Sequence, residues 1–152
     1  MVGGYGEMRT RLEQTPDGRR LVVSRVISAS TAECWRLLTD VEYWPAWGPS
    51  VSAVRGVAGR IEAGSHGEVR VAGVWVPFTV ETYERNRWTW RIAGIPATGH
   101  RVRPWGVDSC LVSFEVPLAA APYAAVCAVA LERIATLART EDQPTGASED
   151  AD

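Results

Sequence analysis

Apolar and polar residues alternate with period two through most of this chain, and the alternation gives way to a helical period at two places. Residues 8–14 and 19–29 read as two strands joined at Thr15-Pro16-Asp17-Gly18, a turn signal. The second carries the β-branched run Leu21-Val22-Val23-Ser24-Arg25-Val26-Ile27. Ser30 or Thr31 can then cap a helix over 32–39, with Cys34, Trp35, Leu37 and Leu38 among its apolar positions. Asp40 is a candidate cap for a second short helix, and Pro45 disfavours helical backbone at Trp44, which leaves Trp44 and Trp47 around a bend. Six strand-like runs follow, at 51–57, 66–72, 74–84, 87–93, 100–104 and 109–116. Gly59, Gly64-Ser65, Gly73, Arg85-Asn86, residues 94–99 and Gly106-Val107-Asp108 separate them, which predicts an antiparallel meander. Pro117 ends the last run, and residues 119–139 read as one long helix whose first turn tolerates Pro122.

Period-two parity assigns the faces. Val69, Val71, Val76, Phe78, Val80, Trp88, Trp90, Ile92, His100, Val102, Cys110, Val112 and Phe114 fall on one side, the expected inner face. Glu68, Arg70, Thr79, Glu81, Thr89, Arg91, Arg101, Arg103, Ser113 and Glu115 fall on the other, expected to face water. Trp75 and Trp105 share that outer parity and would either cover the sheet or form a homodimer contact, while the facing of Arg25 and Arg55 stays open. On the long helix, Tyr123, Val126, Cys127, Ala130, Ile134 and Leu137 share a stripe. Its first half is alanine-rich, so space is expected opposite large aromatics near Tyr123 and Cys127 and not near Leu137. Each of the seven tryptophans brings about 200 Å² of surface and an N–H that needs a partner when buried.

Composition narrows the class. A chain of 152 residues with 46% hydrophobic and 22% charged positions suits one globular domain over 8–139, between a flexible start at 1–7 and a disordered acidic tail at 140–152. All 16 basic residues are arginine, and five of the 18 acids lie in the last twelve residues, so residues 1–140 carry +3 while the whole chain carries −2. That excess is too small for a nucleic-acid partner. No membrane insertion is expected, and a start without a basic or apolar leader points to the cytoplasm. Cys34, Cys110 and Cys127, odd in number and without C-x-x-C spacing, read as reduced core thiols, with no metal and no cofactor expected.

The strand, the stretch Ala29-Ser30-Thr31-Ala32-Glu33-Cys34-Trp35-Arg36-Leu37-Leu38-Thr39-Asp40-Val41-Glu42-Tyr43-Trp44-Pro45-Ala46-Trp47 and the strand after it together resemble the START-like superfamily, which includes polyketide cyclases and aromatases. The likeness spans roughly 21–139. It implies an α+β helix-grip: a curved antiparallel sheet wrapped around a long C-terminal helix, two short helices after the first strand, and a cavity between sheet and helix. Members include lipid carriers and cyclases, so the fold leaves the function to the site.

No G-x-S-x-G, H-E-x-x-H, Walker or G-x-G-x-x-G motif stands in usable context. In the cyclases of the superfamily, arginine and tyrosine orient a poly-β-ketone. Here Arg70, Arg91, Arg101 and Arg103 have outward parity, and no family catalytic residue carries over to a matching position. His100 is the one ionisable side chain expected inside, whereas His66 shares parity with Glu68 and Arg70 and is expected at the surface. The reading with fewest requirements is binding of a small hydrophobic molecule, polyketide-, lipid- or isoprenoid-like, by Trp44, Trp47, Val71, Phe78, Trp90, His100, Val102, Cys110, Tyr123 and Cys127. An alternative is an aldol cyclase or dehydratase with His100 as acid/base, Tyr123 orienting a carbonyl and Trp90 and Phe78 shaping the slot. A third is an interaction module using Trp75 and Trp105.

Overall fold

The computed structural model describes residues 7–142. Strands β1 (Met8–Thr15) and β2 (Gly18–Ile27) form a hairpin whose turn is tied by Thr15, its hydroxyl donating to the Gly18 carbonyl at 2.7 Å and accepting from the Asp17 N–H at 3.1 Å. Helix α1 (Thr31–Thr39) is capped by Ser30, which accepts from the Glu33 N–H at 3.0 Å. Asp40 caps a 3-10 turn, Val41–Tyr43, by accepting from the Glu42 N–H at 3.0 Å, and the chain passes directly into the four-residue helix α2 (Trp44–Trp47). The expected bend at Trp44 is therefore a helical residue (φ −55°, ψ −43°), because Pro45 falls in the first turn of α2, where its missing N–H has no partner to lose.

The remaining strands are β3 (Ala53–Arg55), β4 (His66–Val71), β5 (Val74–Glu84), β6 (Arg87–Ile92), β7 (Ile95–Pro104) and β8 (Cys110–Pro117). All eight form one antiparallel sheet in the order β1-β2-β8-β7-β6-β5-β4-β3. The sheet grips α3 (Ala124–Asp142), the α+β helix-grip expected from the sequence. Two boundaries differ from the reading above. Residues 94–99 are not a loop, because Ala93 and Gly94 both take positive φ (52° and 79°) in a two-residue turn and β7 begins at Ile95. The last helix starts as a 3-10 segment, Leu118–Tyr123, broken at Ala120 (φ −112°, ψ 26°), and α3 runs to Asp142, past the expected end at Arg139. Residues 1–6 and 143–152, most of the expected flexible start and acidic tail, lie outside the described residues.

Leu118–Arg139, with a mean hydropathy of 1.5 over its best window, is long and apolar enough to cross a membrane by length and composition alone. In this fold it turns Cys127, Ala130, Leu131, Ile134 and Ala138 into the core against Leu37, Leu38, Val23 and Val112. Pairing also settles two open facings. Arg25 lies opposite Val112, in register with inward Val23 and Ile27, and Arg55 lies opposite outward Glu68, which it pairs with at 2.7 Å.

The outer face is not uniformly solvated, as parity had suggested. Glu115 is fully buried there, held by Arg87 (Nη2–Oε1 2.8 Å, Nε–Oε2 3.1 Å) and Arg101 (Nη1–Oε2 2.9 Å). Asp17 pairs with Arg87 and Glu13 with Arg101, both at 2.8 Å, so an ionic layer ties the β1–β2 hairpin to β6, β7 and β8. The layer requires Gly99 opposite Glu115, since a Cβ there would stand 2.7 Å from Glu115 Oε1. Burial alone would raise the Glu115 carboxyl; the two guanidiniums outweigh it and hold the group below the usual carboxylate range. Trp75 lies half-buried under the Arg55 guanidinium, 4.0 Å from its ring centroid, while Trp105 remains 43% exposed.

Candidate functional site

Between the sheet and the start of the last helix lie two connected spaces. The outer chamber, of about 350 Å³, is walled by Val69 and Val71 of β4, Trp90 and Ile92 of β6, residues 95–98 of β7, and Pro117 and Ala120. The inner chamber, of about 30 Å³, is bounded by Trp44 and Trp47 of α2, Trp88, His100 and Phe114 of the sheet, and Val126, Cys127 and Ala130 of α3. Ser50, Val51, Trp90, Thr98 and Tyr123 belong to both walls and form the neck between them.

The inner wall is an aromatic stack. Trp44 lies parallel to Trp88 (centroids 5.4 Å apart, 6° between planes), and Trp88 lies on His100 (3.9 Å, 21°). Phe114 meets His100 edge-on at 5.1 Å, and Trp90 meets Trp88 edge-on at 5.4 Å. The two indoles expected around a bend are buried wall. Trp44 and Trp47 are 2% and 7% exposed, and their N–H groups donate to the Leu38 and Leu37 carbonyls at 3.0 and 2.7 Å. Those carbonyls stand in the last turn of α1, where no helical N–H reaches them, so the indoles also close the helix end.

His100 is fully enclosed, and its hydrogen bonds assign its protons. The Trp88 carbonyl, 3.3 Å from Nδ1, can only accept, so Nδ1 carries the hydrogen. Nε2 then accepts from the Thr98 hydroxyl at 2.9 Å, and Thr98 Oγ1 in turn accepts from the Trp90 indole N–H at 3.0 Å. Both ring nitrogens are used. Burial lowers the imidazole pKa to about 3, with the Trp88 carbonyl opposing that shift, so the ring is neutral. It therefore has neither a proton to give as imidazolium nor a free lone pair with which to take one.

Tyr123, 37% exposed at the end of the 3-10 segment, places its hydroxyl 2.6 Å from Ser50 Oγ and so joins the α2–β3 loop to the start of the last helix. Burial raises the Tyr123 phenol pKa, and burial pushes the Cys127 thiol up to about 12. Of the ten side chains expected at the site, Trp44, Trp47, Trp90, His100, Tyr123, Cys127 and Val71 line the chambers. Phe78, Val102 and Cys110 do not. Phe78 packs edge-on against Trp44 and Trp90 at 5.6 Å, Val102 is enclosed in the core, and Cys110 is buried with its Sγ 3.2 Å from Cys34 Sγ. Inward parity placed these three correctly on a face but said nothing of their depth. Ser50 and Thr98 escaped the sequence reading because both seemed to sit in connecting segments; the Ala93-Gly94 dipeptide was the signal for an earlier start to β7.

Residues 18–139 match the family described as polyketide cyclase / dehydrase and lipid transport. The chain belongs to this family. Members of the polyketide cyclase / dehydrase and lipid transport family share a hydrophobic ligand-binding fold, and solved structures agree at the level of the fold. CalU16 from Micromonospora echinospora is 18% identical with a TM-score of 0.61, over 91% of this chain and 86% of its own. A START superfamily protein from Mycobacterium smegmatis is 17% identical (TM-score 0.60; 78% of this chain, 97% of its own). A conserved protein of unknown function from Enterococcus faecalis is also 17% identical (TM-score 0.60; 91% and 78%). No curated protein matches the chain in sequence. Within the family frame, the site of this member is a neutral, aromatic-walled cavity in which neither Arg25 nor Arg55 takes part.

Proposed function

We propose that this protein binds a small hydrophobic molecule in the two-chambered cavity and holds it without turnover. The supporting observation is the outer chamber itself, about 350 Å³ walled by valine, isoleucine, proline and indole, at the lower end of the 300–1,000 Å³ range of small-molecule sites. A cyclase reading built on His100 draws no support from an imidazole that is neutral and fully hydrogen-bonded. Native mass spectrometry of freshly purified protein, followed by organic extraction, tests the proposal. The expected result is a stoichiometric apolar molecule, or saturable uptake of a fluorescent hydrophobic probe by the empty protein. An empty chain that takes up no probe would overturn it.

A further inference from the structure

Among the described residues, no charged side chain stands in the wall of either chamber. The single ionisable heterocycle there is neutral and closed by its own hydrogen bonds. An ionised carboxylate or phosphate placed in such a space would lose its water, and the Arg20 guanidinium beside the wall is turned to the Ala97 carbonyl at 3.4 Å, so the apolar lining does not return the cost.

The neck restricts the ligand further. Thr98 has spent its hydrogen on His100 and one lone pair on Trp90, so it offers an incoming group no donor. Ser50 and Tyr123 have two O–H bonds between them, and their mutual contact consumes one. One donor remains at the neck, and in the wall of the inner chamber the Trp88 indole N–H is buried with no partner of its own. Free donors in an otherwise apolar cavity select for an oxygen acceptor on the ligand.

Resting on the binding function proposed above, we infer that the ligand is a compact, uncharged molecule carrying an oxygen acceptor, a ketone or hydroxyl. That oxygen is held at the neck by Ser50 and Tyr123, and the hydrocarbon body lies against Val71, Ile92 and Ile95. The same geometry disfavours any ligand whose ionised carboxylate or phosphate would have to enter the chambers.

Three naphthalenes of similar shape test this by quenching of tryptophan fluorescence at neutral pH: 2-acetonaphthone, 2-isopropylnaphthalene and 2-naphthoate. The ketone should bind at least about tenfold more tightly than the carboxylate. In a Ser50→Ala/Tyr123→Phe double variant, the affinity ratio of ketone to hydrocarbon should fall by about fivefold, the share of one neutral hydrogen bond. A carboxylate within tenfold of the ketone would overturn the uncharged class. A ratio that falls by less than about threefold in the folded variant would overturn the seat at the neck. Failure of all three probes to bind would instead strike the binding function itself.

Discussion

Acidification should destabilise this protein through His100 before any carboxylate titrates. The folded-state pKa of the imidazole is about 3 against an ordinary 6.5, so below about pH 6.5 the unfolded chain takes up a proton that the folded chain refuses. Stability tied to a neutral, buried histidine is complete above the unfolded value and falls as the pH drops, reaching its floor near the folded value. Between about pH 7 and pH 5 the loss amounts to about 2 kcal/mol, from roughly 1.4 kcal/mol per unit beyond the unfolded pKa. Glu13 and Glu115 have carboxyls depressed from 4.5, so their share of stability is lost only at lower pH and leaves this window clear. The assay is urea unfolding of the wild type and of His100→Gln at about pH 7, 6 and 5. The wild type should lose the stated amount and the variant should lack that share, whatever its starting stability. A wild-type stability flat to within about 0.5 kcal/mol, or an equal slope in both proteins, would refute the neutral buried imidazole.

Other perturbations read other parts of the molecule. Arg87→Met strips fully buried Glu115 of its two-toothed partner and leaves only Arg101, which should cost about 2–4 kcal/mol by urea denaturation and raise the pH at which acid unfolding begins. Thr98→Val keeps the shape but leaves the Trp90 N–H and His100 Nε2 without partners; a loss of about 2 kcal/mol is expected, and less than about 0.5 kcal/mol would break the hydrogen-bond string proposed here. With its thiol pushed up to about 12 and its side chain on the inner wall, Cys127 should alkylate far more slowly than a free cysteine, and more slowly again with 2-acetonaphthone bound. Peptide mapping after a timed iodoacetamide pulse measures this directly.

How far the site could be read before folding differs from residue to residue. Trp90, Tyr123 and Cys127 were legible because period-two parity on β6 and the small-residue stripe on the last helix both point at one space. Trp44 and Trp47 were legible as site residues but not as walls, since their anchoring depends on α1 ending where two carbonyls lie within reach. Glu115 was misread. Alternation assigns a side of the sheet, and what covers that side is set by strands far away in sequence, here β1 and β6 reaching over β8 and β7.

The sequence by itself determined the order of elements, the antiparallel meander, the inward face of most strands and the family. These rest on local signals: side-chain period, caps, and turn residues that admit positive φ. Only the tertiary structure decided that Thr98 and His100 lie in one strand and spend their hydrogen bonds on each other, that Ser50 meets Tyr123 across 73 positions, and that these residues with Trp90 stand between a small chamber and a larger one. The physical reason is range. A period or a cap involves neighbours in the chain, whereas cavity volume, hydrogen-bond closure and the protonation of a buried ring depend on which distant segments pack together and how completely they exclude water.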